Sequence, residues 1–244
     1  MSTATRLSAI TLLFLRPALR QPVLTLLVST LPVSFIVIFR VIGGANLSRH
    51  ALFGSLIVFA TNVGVVSMPQ LAVAFREKSL QDMFVASPVP PLLYASGMGL
   101  SRLSWVAPGL AILMGVLVAT GGMPASALPA VIAVVLVTWF MGIMIGFTIA
   151  TVAESPQMVS IIANLVGMLF TVLPPVYYPL ELLPGPWRWL ALIMPTAHAA
   201  QLVRVAGGLA TTTPAMLALH WTALLGFTAA CLVFTVKKAQ WRRP

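Results

Sequence analysis

The sequence predicts an all-α membrane protein with six transmembrane helices, and three observations carry that prediction. Hydrophobic residues make up 59% of the 244-residue chain and charged residues only 7%, against about 25% in an ordinary soluble domain. The mean hydropathy is +1.02. The few charges fall between long apolar runs. A soluble globule could not cover its surface with so few charges, which excludes a soluble enzyme, a secreted disulfide scaffold and a disordered chain. Cys231 is the one cysteine, so no internal disulfide can form. A crossing helix needs about 20 apolar residues, so the length holds roughly five to seven crossings and no large soluble domain.

Each element follows from local composition. Residues 3–20 mix Leu7, Ile10, Leu12, Leu13 and Leu15 with Arg6, Arg16 and Arg20, the make-up of a helix lying in the interface. Those arginines interrupt any short apolar core, so no cleavable signal peptide is expected. Pro22 ends this helix. Residues 23–42 form a first span, its uncharged run closed by Arg40, and Gly43, Gly44 and Asn46 make the turn. Residues 51–74 form the second span, and a polar segment follows at 75–91. Residues 103–153 carry no charge and are too long for one crossing. Gly121, Gly122, Pro124 and Ser126 divide them into a third span, 92–120, and a fourth, 128–153. Ser155 as N-cap and Pro156 at the first helical position open a fifth span, 156–174, which Pro174, Pro175 and Pro179 end. The sixth span is 214–236, closed by Lys237, Lys238, Arg242 and Arg243.

Net charge is +10. A basic balance can mark nucleic-acid binding, but here the charges sit at the ends of apolar runs, so no nucleic-acid partner is expected and lipid is. Six spans put both termini on one side. With the termini in the cytoplasm of a cytoplasmic membrane, ten basic residues lie inside and four (Arg40, Arg49, Arg188, Arg204) outside, as positive-inside topology requires. Arg102 lies inside the third apolar stretch and is expected to snorkel to the inner interface.

Two segments between the spans stand out. In 75–91, Leu80, Met83 and Phe84 share one face of a short helix at i, i+3 and i+4, with Arg76, Glu77, Lys78 and Asp82 as its charged remainder. Such a ridge fits a groove on a soluble partner or lies flat on headgroups. In 176–209, only eight residues separate Pro186 from Pro195. That is about 12 Å of helix, far short of a core about 30 Å thick. These short helices either dip into the membrane and return, or lie on its outer surface with Trp187 and Trp189 as aromatic anchors.

Other features carry less. Gly142 and Gly146 have the spacing for close helix packing, within the chain or to a partner. Pro32 and Pro108 are expected to kink their spans. Asn62, Gln70 and Asn164 either hydrogen-bond between helices, the commoner role, or line a pathway. His50, His198 and His220 are scattered along the sequence without metal-ligand spacing. No P-loop is present to wrap a nucleotide, so no catalytic residue, cofactor or metal is expected on this chain. Asp82 is the sole aspartate and Glu154 the only acid near a span boundary. An ion-coupled carrier needs an ionisable group at membrane depth, so a stand-alone secondary transporter or channel is the weaker alternative.

The order Arg76-Glu77-Lys78, then Asp82, then Ala86-Ser87-Pro88-Val89 between the second and third spans resembles the cytoplasmic coupling segment of ABC type-2 exporter permeases. Ser79 stands where that family usually has Gly, Leu80-Gln81 is inverted in order, and Asp82 stands for a frequent Glu. Pro179-Leu180-Glu181, Leu183-Pro184, Trp187, Trp189-Leu190, Pro195-Thr196 and Arg204 before Gly207-Gly208 are similar to the family's C-terminal signature. The resemblance implies a membrane half that pairs with itself or a sibling and binds two copies of a separate ATPase, which carry the ATP and Mg. It implies that Arg76, Glu77, Lys78, Leu80, Asp82, Met83 and Phe84 receive the ATPase. It implies further that Pro179, Glu181, Trp187, Trp189, Pro195 and Arg204 shape an external gate of two short re-entrant helices.

Overall fold

The computed structural model describes residues 7–13, 47–77, 90–153 and 155–238, with Thr5, Val41 and Gly44 besides. The expected first span at 23–42 and most of the segment at 75–91 lie outside the described residues. The regular structure among the described residues is all helical, with no strand. We number the helices α1 (Leu47–Glu77), α2 (Pro91–Ala119), α3 (Leu128–Val152), α4 (Pro156–Val172), α5 (Gly185–Leu192), α6 (Pro195–Ala206) and α7 (Pro214–Lys238). Among the described residues four helical stretches are long and apolar enough to cross a membrane: Leu47–Glu77, Leu93–Ala119, Ala125–Val152 and Pro214–Lys238. Helix α4 is apolar but shorter.

Capping chemistry sets several boundaries. Ser155 has extended backbone, and its side chain accepts from the Met158 amide at 3.2 Å. Pro156 follows at the first helical position, where a missing N–H costs nothing. Between α2 and α3, Gly121 takes φ +67°, a left-handed conformation that favours glycine. Pro108 sits inside α2, which continues through it.

Helix α3 is the hub, packing against α1, α2, α4, α6 and α7. Between helices in lipid there is no hydrophobic drive, so close van der Waals approach has to hold them. Glycines supply it where α1 crosses α3. A Cβ on Gly142 would lie 2.9 Å from the Thr61 carbonyl oxygen, and one on Gly146 would run into the Gly64 carbonyl. The Gly142/Gly146 spacing is thus used inside the chain. Gly146→Val is expected to destabilise the protein by about 1–3 kcal/mol through overpacking. Gly115 has nothing within 4 Å of a built Cβ, so Gly115→Ala is expected to be neutral or to stabilise by up to about 1 kcal/mol. Thermal unfolding of the two variants in detergent checks the pair.

Helix α1 contains a π turn at Val63–Ser67, in which the Met68 amide bonds to the Val63 carbonyl five residues back. Its cause is Pro69, which cannot donate to the Val65 carbonyl and whose ring crowds the preceding turn. Widening the helix just before the proline relieves that clash.

The bundle has two distinct ends. At one, Arg76 on α1 meets the C-terminal turn of α3, and Thr235 on α7 lies 2.9 Å from Thr148 on α3. Lys237 and Lys238 close α7 there. Ile10 of the helical stretch 7–13 packs against Gly97 near the start of α2. At the other end, Arg49 donates to the Gly121 carbonyl at 2.8 Å, and the short helix α6 packs against α7 with α5 packed on α6.

Candidate functional site

The predicted contact residues at the Arg76 end divide at position 77. Arg76 donates to the Ala150 carbonyl near the C-terminus of α3, where a cation also meets the negative end of the helix dipole. It therefore fixes α1 against α3. Glu77 is exposed at the end of α1. Lys78, Leu80, Asp82, Met83 and Phe84 lie outside the described residues, as does Glu154.

The opposite end is a built cap. Pro179 precedes a single 3₁₀ turn, Leu180–Leu182, which carries Glu181. Arg188 on α5 clamps this turn, donating to the Leu183 carbonyl at 2.8 Å and the Glu181 carbonyl at 2.7 Å. Helix α5 leaves Trp187 and Trp189 exposed, at 59% and 76%. Helix α6 behaves oppositely. At about 18 Å it is too short to cross a bilayer core, yet nearly every residue from Pro195 to Arg204 is buried against α3 and α7. The Thr196 hydroxyl donates to the Phe170 carbonyl of α4 at 2.7 Å.

Arg204 is the anchor of this cap. It is only 1% exposed. Its Nη2 donates to the carbonyls of Pro175 and Val176, at 3.2 and 2.5 Å, while Nε and Nη1 have no partner among the described residues. The carbonyls it satisfies belong to the proline break after α4, where no helix can pair them. Gly54 on α1 lets the same break approach, since a Cβ there would collide with the Val176 carbonyl. Pro174, Pro175 and Arg204 thus work together, joining α4, α1 and α6.

The structure corrects the reading of two histidines as scattered. His198 on α6 and His220 on α7 face each other, Nδ1 to Nδ1, at 2.8 Å, and His198 Nε2 lies 2.8 Å from the Leu192 carbonyl. A carbonyl only accepts, so His198 carries its proton on Nε2 and its bare Nδ1 accepts from His220. Burial holds the His198 ring below its ordinary value, with the Leu192 bond opposing. The folded state therefore prefers neutral His198. Its contribution is complete above the unfolded value, about 6.5, and is lost as pH falls through that value to the folded one. Thermal stability is expected to decline with acidification in that window, and to decline less in His198→Gln. Among the described residues no group of three or more His, Cys, Asp or Glu could hold a metal.

A second correction concerns mid-bundle polar residues. Asn62, Gln70 and Asn164 come together around one side cavity. The Asn164 amide bonds to Ser160 of its own helix at 2.8 Å and makes no bond between helices. Arg102 lines the same cavity and lies over the Trp105 ring at 5.3 Å. The sequence reading missed this feature, although Pro69 within an apolar run was the signal that α1 would deform beside it.

Long apolar helices, glycine-mediated crossings and a buried short-helix cap define a polytopic helical membrane protein. The chain belongs to the ABC-2 type transporter family, whose model matches residues 7–206. It is accordingly a permease component of an ABC transporter. No curated protein matches the chain.

Proposed function

We propose that this chain is the membrane half of an ATP-driven exporter of the cytoplasmic membrane, pairing with itself or a sibling and taking energy from two copies of a separate ATPase that carry the ATP and Mg. The family match over residues 7–206 is the observation that carries this reading. The charge count over the whole sequence supports it: with both termini inside, ten basic residues fall on the side of Arg76, Lys237 and Lys238 and four on the other, which α5 and α6 close.

In this reading six spans cross the membrane, the first at 23–42 and the fifth at α4, and both termini are cytoplasmic. Helix α4 spans about 26 Å and is completed at its outer end by the Pro174 break that Arg204 holds. Residues 75–91 receive the ATPase. Arg76 ties that segment's root to α3, so a push on it moves α1 and α3 together. Helices α5 and α6 form the re-entrant external gate, with Trp187 and Trp189 at the outer interface. A two-state packing between the halves turns ATPase closure into alternating access.

Sidedness tests the reading. In a Cys231→Ala background, Ser79→Cys should resist a membrane-impermeant maleimide in intact cells and react after permeabilisation. Thr211→Cys should react in intact cells. The reverse pattern would overturn the orientation and with it the docking of a cytoplasmic ATPase. Co-purification with a P-loop subunit is the companion result expected.

A further inference from the structure

We infer that the side cavity between α1, α2 and α4 binds the anionic group of an amphiphile. The cavity measures about 290 Å³, near the lower edge of ordinary ligand sites, roughly 300–1,000 Å³. Asn62, Ser67, Gln70, Arg102, Trp105 and Asn164 line it, with Phe59 and three valines as its apolar wall. Among the described residues no carboxylate lines it.

Arg102 stands eleven residues into the 29-residue helix α2 and is half-buried against the cavity. Its guanidinium lies over Trp105 at 5.3 Å, and its Nε is buried without a hydrogen-bond partner. A cation so placed costs several kcal/mol unless something compensates it. The aromatic face supplies part of that compensation, and an anion in the cavity would supply the rest. The surroundings are built for one. The π turn at Val63–Ser67 carries Ser67 and two valines to the cavity, with Asn62 and Gln70 flanking it. The amides of Asn62 and Gln70 offer further donors, and Phe59 and Trp105 offer flat apolar surface for a hydrocarbon or aromatic body. Two sources share this chemistry: an anionic phospholipid of the bilayer, and a small transported amphiphile bearing a carboxylate, sulfonate or phosphate.

The test reads binding directly and needs no ATPase, so it stands or falls apart from the proposed coupling. The full chain, in phosphatidylcholine nanodiscs, is exposed to a diazirine-bearing alkylbenzenesulfonate and to its matched trimethylammonium analogue. Cross-linked peptides are then mapped. The sulfonate should label peptides containing residues 59–70 and 102–106 at least tenfold more than the ammonium probe. Labelling should fall at least tenfold in Arg102→Gln and persist in Arg102→Lys, which keeps the charge should the glutamine variant fold poorly. Adding phosphatidylglycerol separates the sources: displacement of the probe assigns the site to lipid, and persistence assigns it to the free amphiphile. Equal labelling by both probes, or labelling of a folded Arg102→Gln at the wild-type level, would overturn the inference.

Discussion

Glu77→Lys and Phe84→Ala should each reduce substrate-stimulated ATP hydrolysis by the reconstituted complex at least tenfold, while membrane insertion stays at the wild-type level. Phe84 completes an i, i+3, i+4 ridge with Leu80 and Met83. Truncating a buried aromatic anchor at an interface typically costs about 2 kcal/mol or more, which alone weakens docking some thirtyfold. Glu77 is exposed at the end of α1, and reversing its charge sets repulsion where an attraction is expected, at a cost paid in association. Neither residue lies in an apolar run, so insertion has no reason to change. Wild-type stimulation in both variants would refute the assignment of 75–91 as the docking segment. Arg76→Ala should behave differently. Because Arg76 bonds to the Ala150 carbonyl, its loss should loosen α1 from α3 and lower thermal stability together with coupling.

The second large effect is at the outer cap. Arg204→Ala removes the only donor to the Pro175 and Val176 carbonyls among the described residues, and a hydrogen bond from a charged donor is worth about 1.5–3 kcal/mol. Removing a nearly bare buried charge returns part of that. The net expectation is a loss of about 2–4 kcal/mol, seen as a lower unfolding temperature. Local loosening should also raise protease sensitivity between Pro174 and Pro186. Arg188→Ala makes a useful contrast. Its bonds to Glu181 and Leu183 are exposed, so its effect should stay below about 1 kcal/mol. Equal effects from the two arginines would contradict the view that burial and the proline break give Arg204 its role.

The helical character was legible because charge is scarce and its positions coincide with helix ends: Lys237 and Lys238 close α7, and Ser155-Pro156 opens α4 with the cap its residue types foretell. The short helices after α4 were legible from proline spacing. What was not legible is what depends on the third dimension. Arg102 reads in one dimension as a charge near a span end, yet its ring partner is three residues on and its amide neighbours come from two other helices. His198 and His220 are 22 residues apart, and only the hairpin of α6 against α7 brings their rings to 2.8 Å. Arg204 could be recognised as a signature residue, but not as the donor to a proline break 28 and 29 residues earlier. The π turn was foreshadowed by Pro69, whose missing N–H forces a local deformation that hydropathy does not register.

The central claim is that work enters this chain through the segment after α1. A photoreactive amino acid placed at Gln81, in the permease expressed with its ATPase, tests it most directly, with Thr211 at the opposite end as the control position. The account predicts that illumination at Gln81 captures a P-loop-bearing subunit and that Thr211 captures none. Capture of that subunit from Thr211, or its absence from Gln81 in an assembled and active complex, would contradict it.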